Sequence, residues 1–259
     1  MKRLFPRHGW RPALFLLCLV AASRAAGADV LVQTVDAVKP SIVGIGSFKK
    51  TRSPAVIFVG TGFVVGDGLT VLTAAHVLAG LSDSEHKESL GILVGMGENM
   101  QFRGAVLVAV DEEHDLARLR IAGAALPALQ LGDSSKVGEG QTLAFTGFPL
   151  GMALGLHPVT HRGMVSSITP ITIPSLNSKG LDLKSVKRLQ KPLYSVFQLD
   201  ATAYPGSSGS PLYDPATGQV LGVINMVYVK GVKETALSHP SGITYAIPGN
   251  FIRDLMRPN

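Results

Sequence analysis

The sequence is poor in sulfur, indole and charge. Of its 259 residues one is Cys and one is Trp, and Asp, Glu, Lys and Arg together make up 16%, against roughly 25% in an ordinary globular chain. A single Cys excludes an intrachain disulfide framework and, with it, a zinc site built on Cys ligands. So little charge beside 46% hydrophobic residues excludes a disordered chain, which needs the opposite balance. Acidic residues are also in the minority. Lys and Arg number 24 against 18 Asp and Glu, a formal net charge of +6. Taken alone, that surplus points to a nucleic-acid or anionic-membrane partner.

The position of the charges removes that reading. Residues 1–28 have the form of a secretory signal peptide, with Lys2, Arg3, Arg7 and Arg11 leading into the apolar run Ala13–Ala22 and the small residues Ala26, Gly27 and Ala28. Cleavage is expected after Ala28, with Ala25 second. A retained membrane anchor is the alternative, but the run is shorter than the ~20 residues that cross a bilayer. A lipoprotein reading at Cys18 meets bulky Leu17 where a small residue is needed. Removal of this segment takes away five basic residues and no acidic one, which leaves 19 against 18. The remaining chain also loses both Cys18 and Trp10. Export to the periplasm or beyond is expected, with no stable membrane insertion afterwards and no nucleic-acid partner. Lys184, Lys187, Arg188 and Lys191 read as a solvated loop face.

What remains is β-rich. Short apolar, β-branched runs recur between Gly, Asp and Ser clusters: Ser41–Ser47, Val56–Val65, Val71–Thr73, Gly104–Val110, Thr142–Phe148, Gly163–Ile168, Val196–Leu199 and Val220–Val229. Such spacing suggests a sandwich or barrel, and Gly66-Asp67-Gly68 marks a hairpin turn. Helix is expected only as a turn or two at Ala74–Ala79 and as a final amphipathic helix, Asn250–Met256, with Asn250 as its cap. Thr169–Pro192 reads as a long surface loop.

Three segments carry chemistry. Leu72-Thr73-Ala74-Ala75-His76-Val77 runs a strand into two alanines and a His, leaving room beside the ring. His114-Asp115-Leu116-Ala117 places an Asp at the start of an alternating strand. Pro205-Gly206-Ser207-Ser208-Gly209-Ser210-Pro211 sets a Ser between glycines, a backbone able to expose its oxygen and to aim N–H groups at one point. Alone, His76 is a packed or surface His and Asp115 a strand-edge carboxylate, whereas the flanking strands and two prolines of the last segment argue against a simple flexible Gly/Ser loop and for function even in isolation. Together they stand in the order His, Asp, Ser, one of the known solutions of the Ser–His–Asp geometry. His157 and His161 are four apart, but Pro158 argues against a helix between them. They read as loop histidines, so no metal site and no cofactor is expected. His86, His114 and His239 have no evident partners in the sequence.

On these segments the sequence resembles the HtrA/Deg group of trypsin-like serine proteases. The resemblance extends to Val38–Val43 as the opening strand, Gly60–Val65 before the His, Gly147–Gly151 and Gly163–Ser166 in the second half, and Gly242–Pro248 as the last strand. It implies an all-β fold of two antiparallel six-stranded β-barrels, the chymotrypsin/trypsin-like fold, with a short C-terminal helix. The barrels would occupy 29–133 and 134–259, joining near Leu131–Gly138. It further implies catalysis by Ser208 as nucleophile, His76 as base and Asp115 as its orienter, with the backbone N–H groups of Gly206 and Ser208 as the oxyanion hole.

Polypeptides would be the substrates, in unfolded or misfolded proteins. Thr202 stands where basic-selective relatives carry an acid, and Ile243 where many have Gly at the pocket wall. With Tyr204 and Met226 they are the expected substrate-pocket residues, favouring Ala or Val before the cut. Two positions depart from the family pattern, Ser207 and Ser210, where Asn or Asp and Gly are usual. They motivate a second reading, a catalytically silent homologue that binds unfolded chains or an envelope protein. Only Arg257-Pro258-Asn259 follow the last helix, so no peptide-sensing PDZ domain is expected. Regulation would come from loops such as Thr169–Pro192, from assembly into a homo-oligomer or from a separate partner.

Overall fold

The structure is a computed structural model that describes residues 30–79, 81, 88–95, 97–171, 194–225 and 242–257. The signal segment 1–28, nearly all of the loop Thr169–Pro192, His86, Met226 and His239 lie outside the described residues.

Two closed six-stranded antiparallel barrels make up the chain. The first contains β1 (Ile42–Phe48), β2 (Val56–Val65), β3 (Thr70–Ala74), β4 (Ser89–Val94), β5 (Gln101–Asp111) and β6 (Leu116–Ile121), in the order β1-β2-β3-β6-β5-β4. The second contains β7 (Thr142–Gly147), β8 (Val159–Pro170), β9 (Ser195–Asp200), β10 (Pro211–Tyr213), β11 (Val220–Asn225) and β12 (Ile243–Pro248), in the order β10-β11-β12-β9-β8-β7. Closure leaves the sheets no long open edge around most of their girth.

Burial explains which strands were legible. β1, β3 and β11 face a barrel interior on one side and the neighbouring barrel on the other, and are buried almost throughout. They read as continuous apolar runs. Two strands went unread: β4, whose Ser-Leu-Gly opening breaks the pattern, and β10, which has only three residues. One apolar core fills each barrel, around Val43, Ile92 and Leu119 in the first and Leu143, Phe145 and Leu199 in the second. A third core joins them, with Phe63 and Leu72 from one barrel meeting Phe148, Tyr213 and Val223 from the other.

The connection runs through paired bridges, Val65 to Leu129 and Leu131 to Val220, so the chain passes from one barrel to the other within three residues. Helix α1 covers residues 30–38 and was not anticipated. Its end corrects the expected opening strand, because Lys39–Ser41 form a 3-10 turn and β1 starts only at Ile42. Helix α2 (Asn250–Leu255) is present, but its cap is Gly249. Asn250 instead accepts from Ser134 N (3.2 Å) and donates to Asp133 (3.3 Å), tying the helix to the inter-barrel segment. Phe251 from α2 stacks on His114 with ring centroids 3.7 Å apart, and Asp111 bonds the same His at 2.6 Å. His114 is therefore a partnered structural residue. Gly66 and Gly68 both have positive φ, +64° and +77°, at the β2–β3 turn. Glycine adopts this conformation without a Cβ penalty, while Asp67 between them does not share it, so the turn is not the two-residue Asp-Gly type.

Candidate active site

Register brings His76 and Asp115 together. β3 pairs with β6, and Ala74 lies opposite Leu116. His76 sits two residues past Ala74, in a 3-10 turn over Ala75–Leu78. Asp115 sits one residue before Leu116, in the left-handed region at φ +54°. That conformation is costly for a residue with a Cβ, and it is held by Ala75 N donating to Asp115 O at 2.9 Å. The Asp115 carboxylate accepts three hydrogen bonds. They come from His76 N (2.7 Å), His76 Nδ1 (2.6 Å) and Asn225 Nδ2 (2.7 Å). A carboxylate oxygen only accepts, so Nδ1 is the donor toward Asp115 and Nε2 is the ring nitrogen left to face outward from this pair.

Asn225 was not foreseen. It ends the apolar strand β11 and is fully buried, and a lone Asn closing such a run was the available signal.

The Ser208 segment is a pair of turns. Ser207 N donates to Tyr204 O (2.9 Å) and Ser210 N to Ser207 O (3.1 Å). Gly206 and Gly209 have φ of +98° and +86°. A Cβ on Gly206 would strike Phe148 O, and one on Gly209 would strike Thr61 O. Both positions therefore require Gly for conformation and for space. The N–H groups of Gly206 and Ser208 flank Ser207 and have no hydrogen-bond partner among the described residues.

Contacts from the first barrel fix this loop. Thr61 N donates to Ser208 O at 2.9 Å. Thr61 Oγ1 donates to Gly206 O at 2.7 Å and accepts from Phe148 N at 3.0 Å. Gly60 lies between Val77, one residue past His76, and Ser208 O. The His turn and the Ser loop thus converge on one glycine. Ser208 itself is 8% exposed.

Of the two departures, Ser210 has a steric accommodation. Ser210 is buried, and its Oγ packs on Gly147, where a Cβ would collide with it. The missing side chain at 147 makes the room that Ser210 needs. Ser207 is also buried, and neither its Oγ nor that of Ser210 has a hydrogen-bond partner among the described residues, so the accommodation of Ser210 is one of space alone.

The other expected pocket residues are less gathered. Thr202 and Tyr204 are half-buried beside the loop, and Ile243 opens β12 opposite Asp200 with 45% of its surface exposed. Thr244, not foreseen, is buried. Its hydroxyl donates to Ala201 O (2.7 Å) and accepts from Ala203 N (3.0 Å), pinning the segment around Thr202. The Tyr204 ring lies 6.3 Å from that of His161. His161 is not in a loop, contrary to expectation. It lies on β8 opposite Phe145, stacks on that ring at 5.0 Å, and its buried Nε2 has no partner among the described residues. Burial holds its pKa below the ordinary His value. No cluster of three or more metal-ligating side chains occurs among the described residues.

Residues 60–223 match the family model of the trypsin-like peptidase domain. The chain belongs to this family. Its relatives include a probable periplasmic serine endoprotease, DegP-like, of Halomonas elongata, 28% identical over 197 residues that cover 76% of this chain and 34% of that protein. A protein of the same description from Pseudomonas fluorescens is 30% identical over 197 residues, with the same shares covered. The chain spans about a third of the length of these curated relatives. Among solved structures, an HtrA-type protease, AlgW with decapeptide, superposes with a TM-score of 0.62 at 23% identity, covering 87% of this chain and 66% of that one. At that identity the likeness concerns the fold. No helix among the described residues is long and apolar enough to cross a membrane.

Proposed function

We propose that this chain is a serine endopeptidase, exported to the periplasm or beyond, that cuts peptide bonds in unfolded polypeptides. The observation that carries the reading is the Asp115 carboxylate held by His76 and Asn225, beside a Ser208 loop whose two flanking N–H groups are unpaired.

Ser208 Oγ attacks the carbonyl carbon while His76 Nε2 takes its proton. The same proton then passes to the leaving amine. Asp115 holds the ring in the required tautomer and stabilises the imidazolium. The N–H groups of Gly206 and Ser208 bind the developing oxyanion, at about 3–4 kcal/mol for each donor. Water then repeats the sequence on the acyl-enzyme. Neutral Thr202 and branched Ile243 favour Ala or Val before the cut.

The test is hydrolysis of an unfolded protein such as reduced casein by the wild-type chain and by Ser208→Ala. Wild type degrades it and the variant does not. Equal hydrolysis by both overturns the assignment. The termini of the products report the residue before the cut, and a profile dominated by Arg, Lys or Phe refutes the specificity.

A further inference from the structure

From the Ser208 loop, strand β2 leads outward along the first barrel. β2 pairs with β1 from Val56 to Phe63, but with β3 only from Gly62 to Val65. The other edge of Val56–Thr61 has no strand beside it among the described residues. Its inner end is fixed at the nucleophile loop, where Thr61 N meets Ser208 O. An open strand edge of this kind is a template for an extended peptide.

At the outer end of that edge lies a cavity of about 700 Å³. Val56, Leu93, Met100 and Phe102 face it from the first barrel, and from the second Met152, in the 3-10 turn that follows Phe148, and Leu156, two residues past that turn. Among the described residues no Asp, Glu, Lys or Arg lines it. Its volume is within the ~300–1,000 Å³ of ordinary ligand pockets. Phe58 stands between the cavity and the active-site loop. That ring packs where side chains at Gly206 and Gly151 would otherwise project, and Val56 follows it two residues along the same face of β2. The far end is closed by the His157 ring, which lies against Gly97 of one barrel and Gly155 of the other.

We infer that this cavity is a specificity pocket for the leaving half of the substrate, and that it takes a bulky apolar side chain three to five residues after the cut bond. The spacing follows from the strand. Five residues separate Thr61 from Val56, about 17 Å at 3.3 Å per residue, and an extended substrate covers that length in as many residues. The expected unprimed contacts lie on the second barrel, Thr202 two residues past the end of β9 and Ile243 at the start of β12. The leaving half is therefore the part of the chain that reaches β2 and β4. The inference rests on Ser208 being the nucleophile.

The test separates the two claims. Labelled peptides of about twelve residues, with Val before the cut, carry either Leu and Phe or Ser at the third to fifth positions after it. Binding to full-length Ser208→Ala protein is measured by fluorescence anisotropy, with no need for turnover. Burial of one large apolar side chain predicts about tenfold tighter binding of the Leu/Phe peptides. Val56→Asp and Met152→Asp, both at solvent-accessible positions, are expected to shrink that ratio to about twofold or less. Equal affinities in Ser208→Ala protein overturn the inference. So does a tenfold ratio that survives both substitutions in proteins with unchanged melting temperatures. Reaction of the wild-type chain with a fluorophosphonate is recorded in parallel. A chain that reacts but shows no discrimination refutes the pocket alone. A chain that discriminates but never reacts refutes the peptidase reading and retains the pocket as a peptide-binding site.

Discussion

Thr61→Val tests how the Ser208 loop is held. The swap keeps the shape of the side chain and removes one hydroxyl. Thr61 is fully buried, and its Oγ1 makes two hydrogen bonds, to Gly206 O at 2.7 Å and from Phe148 N at 3.0 Å. Each orphaned buried group costs about 1–3 kcal/mol. The pair predicts a loss of about 2–6 kcal/mol, a large part of the ~5–15 kcal/mol that stabilises a typical domain. The catalytic effect has a different origin. The Gly206–Ser207 peptide is fixed at both ends, by Thr61 at its oxygen and by Tyr204 O at its nitrogen. Freeing the oxygen lets this peptide rotate and misplaces the adjoining Gly206 N–H. Complete loss of an oxyanion donor costs about 10²–10³ in kcat, so a loosened donor predicts a fall of about 10- to 100-fold, with little change in KM. Urea unfolding gives the first number and turnover of an internally quenched peptide gives the second. Thr61→Ser restores both. A variant within about 0.5 kcal/mol of wild-type stability, the ordinary scatter of neutral substitutions, and within twofold of its kcat would refute the reasoning.

Asn225→Ala removes one donor from the Asp115 carboxylate. A hydrogen bond to a charged group is worth about 1.5–3 kcal/mol, so kcat should fall about 10- to 100-fold at constant KM, and an unchanged kcat contradicts the orienting role. Gly147→Ala drives a methyl into Ser210 Oγ and should cost about 1–3 kcal/mol. Adding Ser210→Gly should recover most of it, and additive losses in the double variant would show that the two positions do not pack together. His161 supplies a pH dependence. Burial depresses its folded-state pKa, so below pH 6.5 the unfolded chain binds this proton more readily than the folded one. The stabilisation is complete above the ordinary His value and is lost as pH falls beneath it. Denaturant melts should show stability falling with acidity from about pH 6.5, with a shallower slope in His161→Phe, and equal slopes would refute the assignment.

The barrels were legible where burial made continuous runs, as in Val56–Val65 and Val220–Asn225. They were not where strands were short or polar at the start, as in β4 and β10. The His76 and Ser208 segments stood out in the sequence because Gly and small residues crowd around them for steric reasons that show as composition. The partners that hold them did not. Thr61, Asn225 and Thr244 act across 145, 110 and 43 positions of chain, a distance at which no local pattern exists. His114 and His161 were misread for the same reason. Their neighbours Phe251 and Tyr204 are brought to them by helix α2 and by the Ser208 loop. Ser210 was visible as a departure from the family pattern, and Gly147, which makes room for it, was visible only in the fold.

The central claim is that Ser208 is a nucleophile activated by His76. Mass spectrometry of the folded chain after exposure to a fluorophosphonate tests it most directly. The account predicts one adduct, on Ser208, absent in Ser208→Ala and formed at least ~100-fold more slowly in His76→Ala, since base catalysis contributes about 10²–10⁴. A folded wild-type chain that carries no adduct, or carries it on another residue, contradicts it.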